Sequence, residues 1–240
     1  MASERRARIF AQMFSGSPDP ETGHLCTGCA RIADMSGAGI MLMSGDVPRG
    51  SICTTNAVSA CIEQLQYDLM EGPCVDAYRL DRPVLEPDLA SPTTPRWVAF
   101  TGPALDAGVR AIFGFPLQVG AVRLGALNLY RDRPGPLSPE QHADVLVLAD
   151  IAAQSVLILQ ASAAPGQLAQ ALENDSEFQY VVHQAAGMVS AQLEISLTHA
   201  LIRLRAYAFG NEVPLLEVAT AVVGRRLRFD GTTGQVDSPP

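Results

Sequence analysis

Pro165-Gly166 divides this chain more sharply than any other feature. Short apolar runs with strand character all precede it, and none follows it. The chain therefore reads as an α+β region followed by an all-helical one. The expected organisation is a domain over 8–163, a second over 167–230, and a disordered tail over 231–240.

Before the break, GAGIMLMS (37–44) and SICTTN (51–56) predict two strands joined by the turn GDVPRG. AVSACIEQLQYDLM (57–70) has helical spacing at Val58, Cys61, Ile62, Leu65 and Leu69. PVLEPDL (83–89) predicts a short edge strand. RWVAFTGPALDAG (96–108) predicts a helix interrupted near Pro103. VRAIFGFPLQV (109–119) and VRLGALNLYR (122–131) form a predicted hairpin turning at Gly120-Ala121.

A long helix then begins with good start chemistry. Ser138 is its N-cap, Pro139 occupies the first turn, and Gln141 completes a capping box. It extends to about Ala163. Val145, Leu148, Ala152, Ser155 and Leu159 form a seam that packs either on the chain's own sheet or on a second subunit.

The net charge is −8, and all seventeen basic residues are arginine. An acidic chain is a poor general nucleic-acid binder, because phosphate neutralisation needs positive charge. Any such site must be local, and 199–229 is locally basic: five arginines stand there against Glu212 and Glu217. The N-terminus, MASERRARIFAQMF, lacks the apolar core of a secretory signal. No run reaches the ~18 apolar residues of a membrane span. Five cysteines, an odd number, read as reduced thiols in a cytoplasm.

Cys26-Thr-Gly-Cys29 is a C-x-x-C pair, open to three readings: core packing, a redox role, or half of a metal site. Cys74 reads as packing. None of the four histidines, His24, His142, His183 and His199, offers an evident axial ligand for haem. No nucleophile elbow, Walker loop, H-E-x-x-H or histidine-rich cluster is present. The residues thus name no catalytic centre and no metal site, and the chain is expected not to be an enzyme. Glu71 and Asp76 form a carboxylate pair of a kind common on surfaces.

After the break, three helices are expected. Val182, Ala186, Val189 and Leu193 form a stripe on the first, with Ala185 and Met188 beside it. Leu197, Ala200, Leu201, Leu204 and Ala208 face inward on the second, capped by Ser196. Leu215, Val218, Ala219, Val222 and Val223 do so on the third, with Pro214 at its start. The small residues Ala185, Ala186 and Gly187 would let a neighbouring helix approach closely. On the polar side, His199, Arg203 and Tyr207 stack in one stripe, Arg205 lies four residues before Phe209, and Arg225, Arg226 and Arg228 cluster at the end. Arginine beside aromatic rings suits RNA, whose bases stack on rings while guanidinium groups bind phosphates. Arginines near helix C-termini also complement the helix dipole.

The stretch VVHQAAGMVSAQLEISLTHALIRLRAYAFGNEVPLLEVATAVV (181–223) resembles an ANTAR domain, the RNA-binding output module of bacterial antitermination regulators. Gln184-Ala185, Gly187-Met188, Ala200-Leu201, Leu204-Arg205 and Tyr207-Ala208 carry the likeness. It implies binding to paired stem-loops of nascent leader RNA; together with the local basic patch it gives Gln184, His199, Arg203, Arg205, Tyr207, Arg225 and Arg226 as the contact set, Gln184 either hydrogen-bonding a loop base or tying the bundle together. Ala186 stands where that family usually has lysine, and Asn211-Glu212-Val213 where it usually has basic residues. The alternative is a bundle that serves dimerisation or a protein partner.

Residues 69–89, 96–100 and 108–138 resemble a GAF domain, an antiparallel sheet flanked by helices. The EGPC…DA and GALNLY patterns are similar to GAF domains fused to ANTAR modules. The resemblance implies a cytoplasmic sensor, a homodimer, and a small-molecule ligand of unnamed identity.

Overall fold

The computed structural model describes residues 2–14, 22–45, 47–92, 94–162, 177–211 and 213–229. The expected break at 163–166, the start of the first C-terminal helix at 167–176, Glu212 and the tail 231–240 lie outside the described residues. The chain forms two compact units, Met1–Leu168 and Ala169–Pro240.

The first unit holds five antiparallel strands in the order β2-β1-β5-β4-β3. They are β1 Gly37–Ser44, β2 Val47–Thr54, β3 Val84–Glu86, β4 Ala111–Val119 and β5 Val122–Arg131. β2 starts earlier than its apolar run, because Pro48 and Gly50 are accommodated at register shifts against β1. β3 sits at the edge, and β4 and β5 pair as the expected hairpin around Gly120-Ala121. β1 and β5 are buried along nearly their whole lengths, as strands covered on both faces must be.

Among the described residues, six helices accompany the sheet: α1 Ala2–Met13, α2 Thr22–Ala33, α3 Ala57–Leu69, α4 Pro73–Leu80, α5 Val98–Asp106 and α6 Pro139–Ser162. α2 and α3 lie on opposite faces. Gly39 meets Glu63 of α3, whereas Cys53, which pairs with the next residue, Ile40, is bonded to α2. α3 carries a capping box: Ser59 N donates to Asn56 Oδ1 and Asn56 N donates to Ser59 Oγ, both at 2.9 Å. α5 runs through Pro103 without interruption.

At α6 the capping box forms reciprocally. Gln141 N donates to Ser138 Oγ at 3.1 Å, and Ser138 N donates to Gln141 Oε1 at 3.0 Å. Val145, Leu148, Ala152 and Ser155 are buried, and α6 packs on β4, β5, α1 and α2. Its seam therefore serves the chain's own sheet. By length and composition Pro139–Ala161 could cross a membrane, but this is equally the make-up of a core helix.

α1 is docked ahead of residue 8, from its first turns. Arg5 and Arg8 pair with Asp144 at 3.0 and 2.8 Å, Arg6 pairs with Asp150, and Ile9 and Met13 are buried. The expectation of five reduced cysteines changes: Cys26 and Cys53 form a disulfide that ties α2 to β2. The partners are 27 residues apart in sequence and meet only through sheet pairing, which local spacing cannot show. Cys29 stays a free, buried thiol that burial pushes up to about 12.

The second unit contains α7 Glu177–Leu193, α8 Leu197–Gly210 and α9 Leu215–Val223. Val182, Ala185, Ala186, Val189, Ala200, Leu201, Leu204, Ala208, Leu215, Val218, Ala219 and Val222 are buried among them. Leu227 and Phe229 join this core, and Phe229 N donates to Gln192 Oε1 at 3.0 Å. Ser196 caps α8 by accepting from His199 N. Pro214 occupies the cap of α9 rather than its first turn. Three inward-facing assignments shift. Leu197 is 57% exposed, because it opens α8 before the helix meets its neighbours. Arg205 is buried instead, and Gly187 faces open space, so only the two alanines serve close helix approach.

Candidate functional site

α3 turns its polar side to the sheet. The expected stripe of Val58, Cys61, Ile62, Leu65 and Leu69 contributes only Ile62 to the fully buried face; Cys61 is exposed. The buried face is Ser59, Ile62, Glu63, Gln66 and Tyr67, an i, i+3, i+4, i+7, i+8 series. The sheet explains why. Asn128 of β5 pairs with Gly39 on one side and Gly114 on the other. Directly opposed residues share a face, so a row with two missing side chains lies under the helices. A Cβ at Gly39 would sit 2.5 Å from Glu63 Oε1, and one at Gly114 would sit 2.3 Å from Pro73 O. The glycines thus let Glu63 and the start of α4 come down onto the sheet.

Four polar groups from three elements meet there. Asn128 Nδ2 donates to Glu63 Oε1 at 3.1 Å. Cys74 N, in the first turn of α4, donates to Gln66 Oε1 at 2.8 Å. Burial pushes the Glu63 carboxyl up to about 8, with the Asn128 hydrogen bond opposing that shift. Burial, then the Glu63 carboxyl, raises the Cys74 thiol well above its ordinary value. At neutral pH both groups are therefore uncharged. Three atoms remain without a hydrogen-bond partner: Glu63 Oε2, Gln66 Nε2 and Asn128 Oδ1. Each such buried atom costs about 1–3 kcal/mol, so this cluster is retained at the expense of stability.

The neighbouring EGPC…DA stretch locks the frame. Gly72 adopts φ +127, and a Cβ there would meet the Gln66 side chain at 2.6 Å. Glu71 Oε2 accepts from Ala99 N at 3.0 Å, capping α5. Trp97 Nε1 donates to Asp76 Oδ2 at 2.8 Å. Trp97 itself sits at φ 56, a left-handed conformation that costs a bulky residue about 1–3 kcal/mol. Arg96 covers its ring, with the guanidinium 4.7 Å from the centroid. Glu71 and Asp76 are thus tethers for the 96–100 segment rather than a general acid–base pair. Sequence reasoning missed Glu63, Gln66 and Asn128. The available signal was glycine inside two strands and a polar residue amid the apolar run of β5.

In the second unit, the residues expected to contact RNA divide into two sets. Gln184, His199, Arg203, Arg225 and Arg226 are exposed, as is Arg228. Arg205 is buried, 9% exposed, because it occupies the i+4 position from Leu201 on the inward face of α8. Tyr207 is half-buried, and its ring packs edge-on against Phe229 at 5.6 Å. Neither presents a free face. The outward side of α8 instead carries His199, Ile202, Arg203 and Phe209, with Ile202 47% and Phe209 66% exposed. Among the described residues no group of three or more His, Cys, Asp or Glu is arranged to hold a metal.

This geometry agrees with comparison to known proteins. Residues 23–156 match the family model described as GAF domain. The GAF domain of a phosphoenolpyruvate-protein phosphotransferase from Coxiella burnetii is similar in fold, with TM-score 0.50 and 13% identity over 67% of this chain and 95% of that one. The corresponding Acinetobacter domain matches at TM-score 0.48 and 13% identity, over 67% and 96%. No curated protein matches the chain by sequence. The family match ends before α7. With a sheet of five antiparallel strands clasped by helices, and with that match over more than half its length, the chain belongs to the GAF domain family.

Proposed function

We propose that this protein is a signal-responsive regulator whose GAF unit senses a small molecule and whose C-terminal helices bind paired stem-loops of nascent RNA, opposing transcription termination. The GAF unit belongs to a class that commonly binds small-molecule ligands. The observation that carries the RNA reading is the exposed basic set Arg203, Arg225, Arg226 and Arg228 in an otherwise acidic chain, the first within the stretch that resembles ANTAR domains and the other three just after it. Guanidinium groups would bind phosphates, and Phe209, exposed where Tyr207 is not, would offer the ring for an unpaired loop base. Arg205 and Tyr207 then hold the helices together. Gln184 and His199 are also exposed. The protein would act in the cytoplasm as a homodimer, without membrane attachment and without catalysis.

The test is titration of the full-length protein with a hairpin leader and a scrambled control at two salt concentrations. Selective, salt-weakened binding that drops at least tenfold in an Arg203→Ala, Arg225→Ala, Arg226→Ala variant supports the reading. Equal binding to both RNAs, or none, contradicts it.

A second reading has its own observation: Ile202 and Phe209 expose apolar surface on the same helix face. In that case α8 docks a protein partner or a second copy, and binding is insensitive to salt.

A further inference from the structure

We propose that residues 224–229 form a pre-ordered basic arm for RNA phosphates, and that Gln192 and Tyr207 are the positioning residues that hold it. The inference rests on the RNA reading above, and it says how the arginines beyond the ANTAR-like stretch are presented. The arm starts in a Schellman turn. Arg225 N donates to Val222 O at 3.0 Å and Arg226 N donates to Ala221 O at 2.8 Å, which reverses the chain past the end of α9. Arg225 sits at φ 57, the left-handed position that glycine most often fills. A charged side chain therefore stands where the turn alone would favour none. Beyond the turn the side chains alternate. Leu227 and Phe229 are 5% and 8% exposed, while Arg226 and Arg228 lie outward.

Two helices grip the inward side. Phe229 lies outside any helix or strand, so its N–H has no ladder to join. Gln192, one residue before the end of α7, supplies the acceptor: Phe229 N donates to its Oε1 at 3.0 Å. From α8 the Tyr207 ring meets the Phe229 ring edge-on at 5.6 Å. Charge decides what the outward side meets. Arg5, Arg6, Arg8 and Arg96 of the first unit are ion-paired. Arg225, Arg226 and Arg228 form no ion pair among the described residues. Three unneutralised guanidinium groups on one fixed span suit a row of phosphates. Fixing the span in advance removes an ordering cost that a loose basic tail pays on contact.

The test titrates the full-length protein with a hairpin leader RNA across a salt series, beside amide hydrogen exchange of the free protein. Gln192→Met keeps the side chain's length and removes the acceptor. It should quicken exchange at Phe229, leave protection in α7, α8 and α9 unchanged, weaken low-salt binding at least fivefold, and flatten the salt dependence. Arg226→Gln with Arg228→Gln removes two contacts and spares the clamp, so the log–log salt slope should flatten by roughly 0.7–0.9 for each phosphate lost. Arg225→Gly should weaken binding without lowering the thermal midpoint, which a merely structural arginine would not do. Tyr207→Phe keeps the ring contact and should bind like the wild type, whereas Tyr207→Leu should behave like Gln192→Met. A wild-type slope in the double arginine variant overturns the proposal. So does wild-type affinity in Gln192→Met, with or without quicker exchange at Phe229. Loss of protection throughout α7, α8 and α9 in Gln192→Met also overturns it, because Gln192 would then be a residue of the core rather than a clamp. If the wild type binds the hairpin and these variants match it, the arm falls and the RNA reading stands. If the wild type binds no RNA, both fall.

Discussion

Helices α3 and α8 break the same rule in opposite directions. α3 buries Ser59, Glu63 and Gln66, whereas α8 exposes Ile202 and Phe209. Both cores are otherwise mainly apolar, with Phe100, Phe113, Ile112 and Leu127 fully buried in one and Val182, Ala219 and Val222 in the other. A polar stripe inside costs desolvation, and an apolar stripe outside costs solubility. Neither improves the fold. The difference suits their proposed tasks: a sensor encloses its signal, and an output surface must meet a macromolecule from outside.

The comparison is most strongly tested through Glu63. Its folded pKa is raised from 4.5 to about 8 by burial, so its contribution is fully present below pH 4.5 and lost as pH rises through 8. Stability should fall by roughly 1.4 kcal/mol per pH unit across that window. Denaturant melts from pH 5 to 8 check this, and Glu63→Gln should flatten the slope. Next in size is Gly114→Ala, whose Cβ would lie 2.6 Å from the Pro73 carbonyl carbon. Lifting α4 from the sheet should cost about 2–3 kcal/mol, measured by urea unfolding.

Loss of the Cys26–Cys53 link comes third. Cys53→Ser should lower stability by about 2–3 kcal/mol under oxidising conditions, with no difference from wild type in reductant. On the outer face of α8, Phe209→Ser should leave stability within about 0.5 kcal/mol. It should weaken hairpin binding by about 1–3 kcal/mol if a base stacks there. Smallest is Gly187→Ala. An added Cβ there meets nothing within 4 Å, so the variant should be about 0.5–1 kcal/mol more stable, read as a raised thermal midpoint.

Local signals carried far in the sequence. The β4–β5 hairpin at Gly120-Ala121 and the Ser138–Gln141 capping box depend on neighbours within a few residues, and both form as read. The inward face of α8 was also legible: Leu201, Leu204, Arg205 and Ala208 fit one helical stripe, and arginine's charge obscured its place in it. The Cys26–Cys53 link was out of reach because β1–β2 pairing creates it. The roll of α3 was equally hidden. Its apolar spacing was genuine, but Gly39 and Gly114 in other segments decide which side can approach the sheet.

Hydrogen–deuterium exchange of the full-length protein with and without a hairpin leader RNA tests the central claim most directly. The account predicts added protection in residues 197–210 and 224–229. Protection nowhere in the second unit, at RNA concentrations that saturate binding, would contradict it.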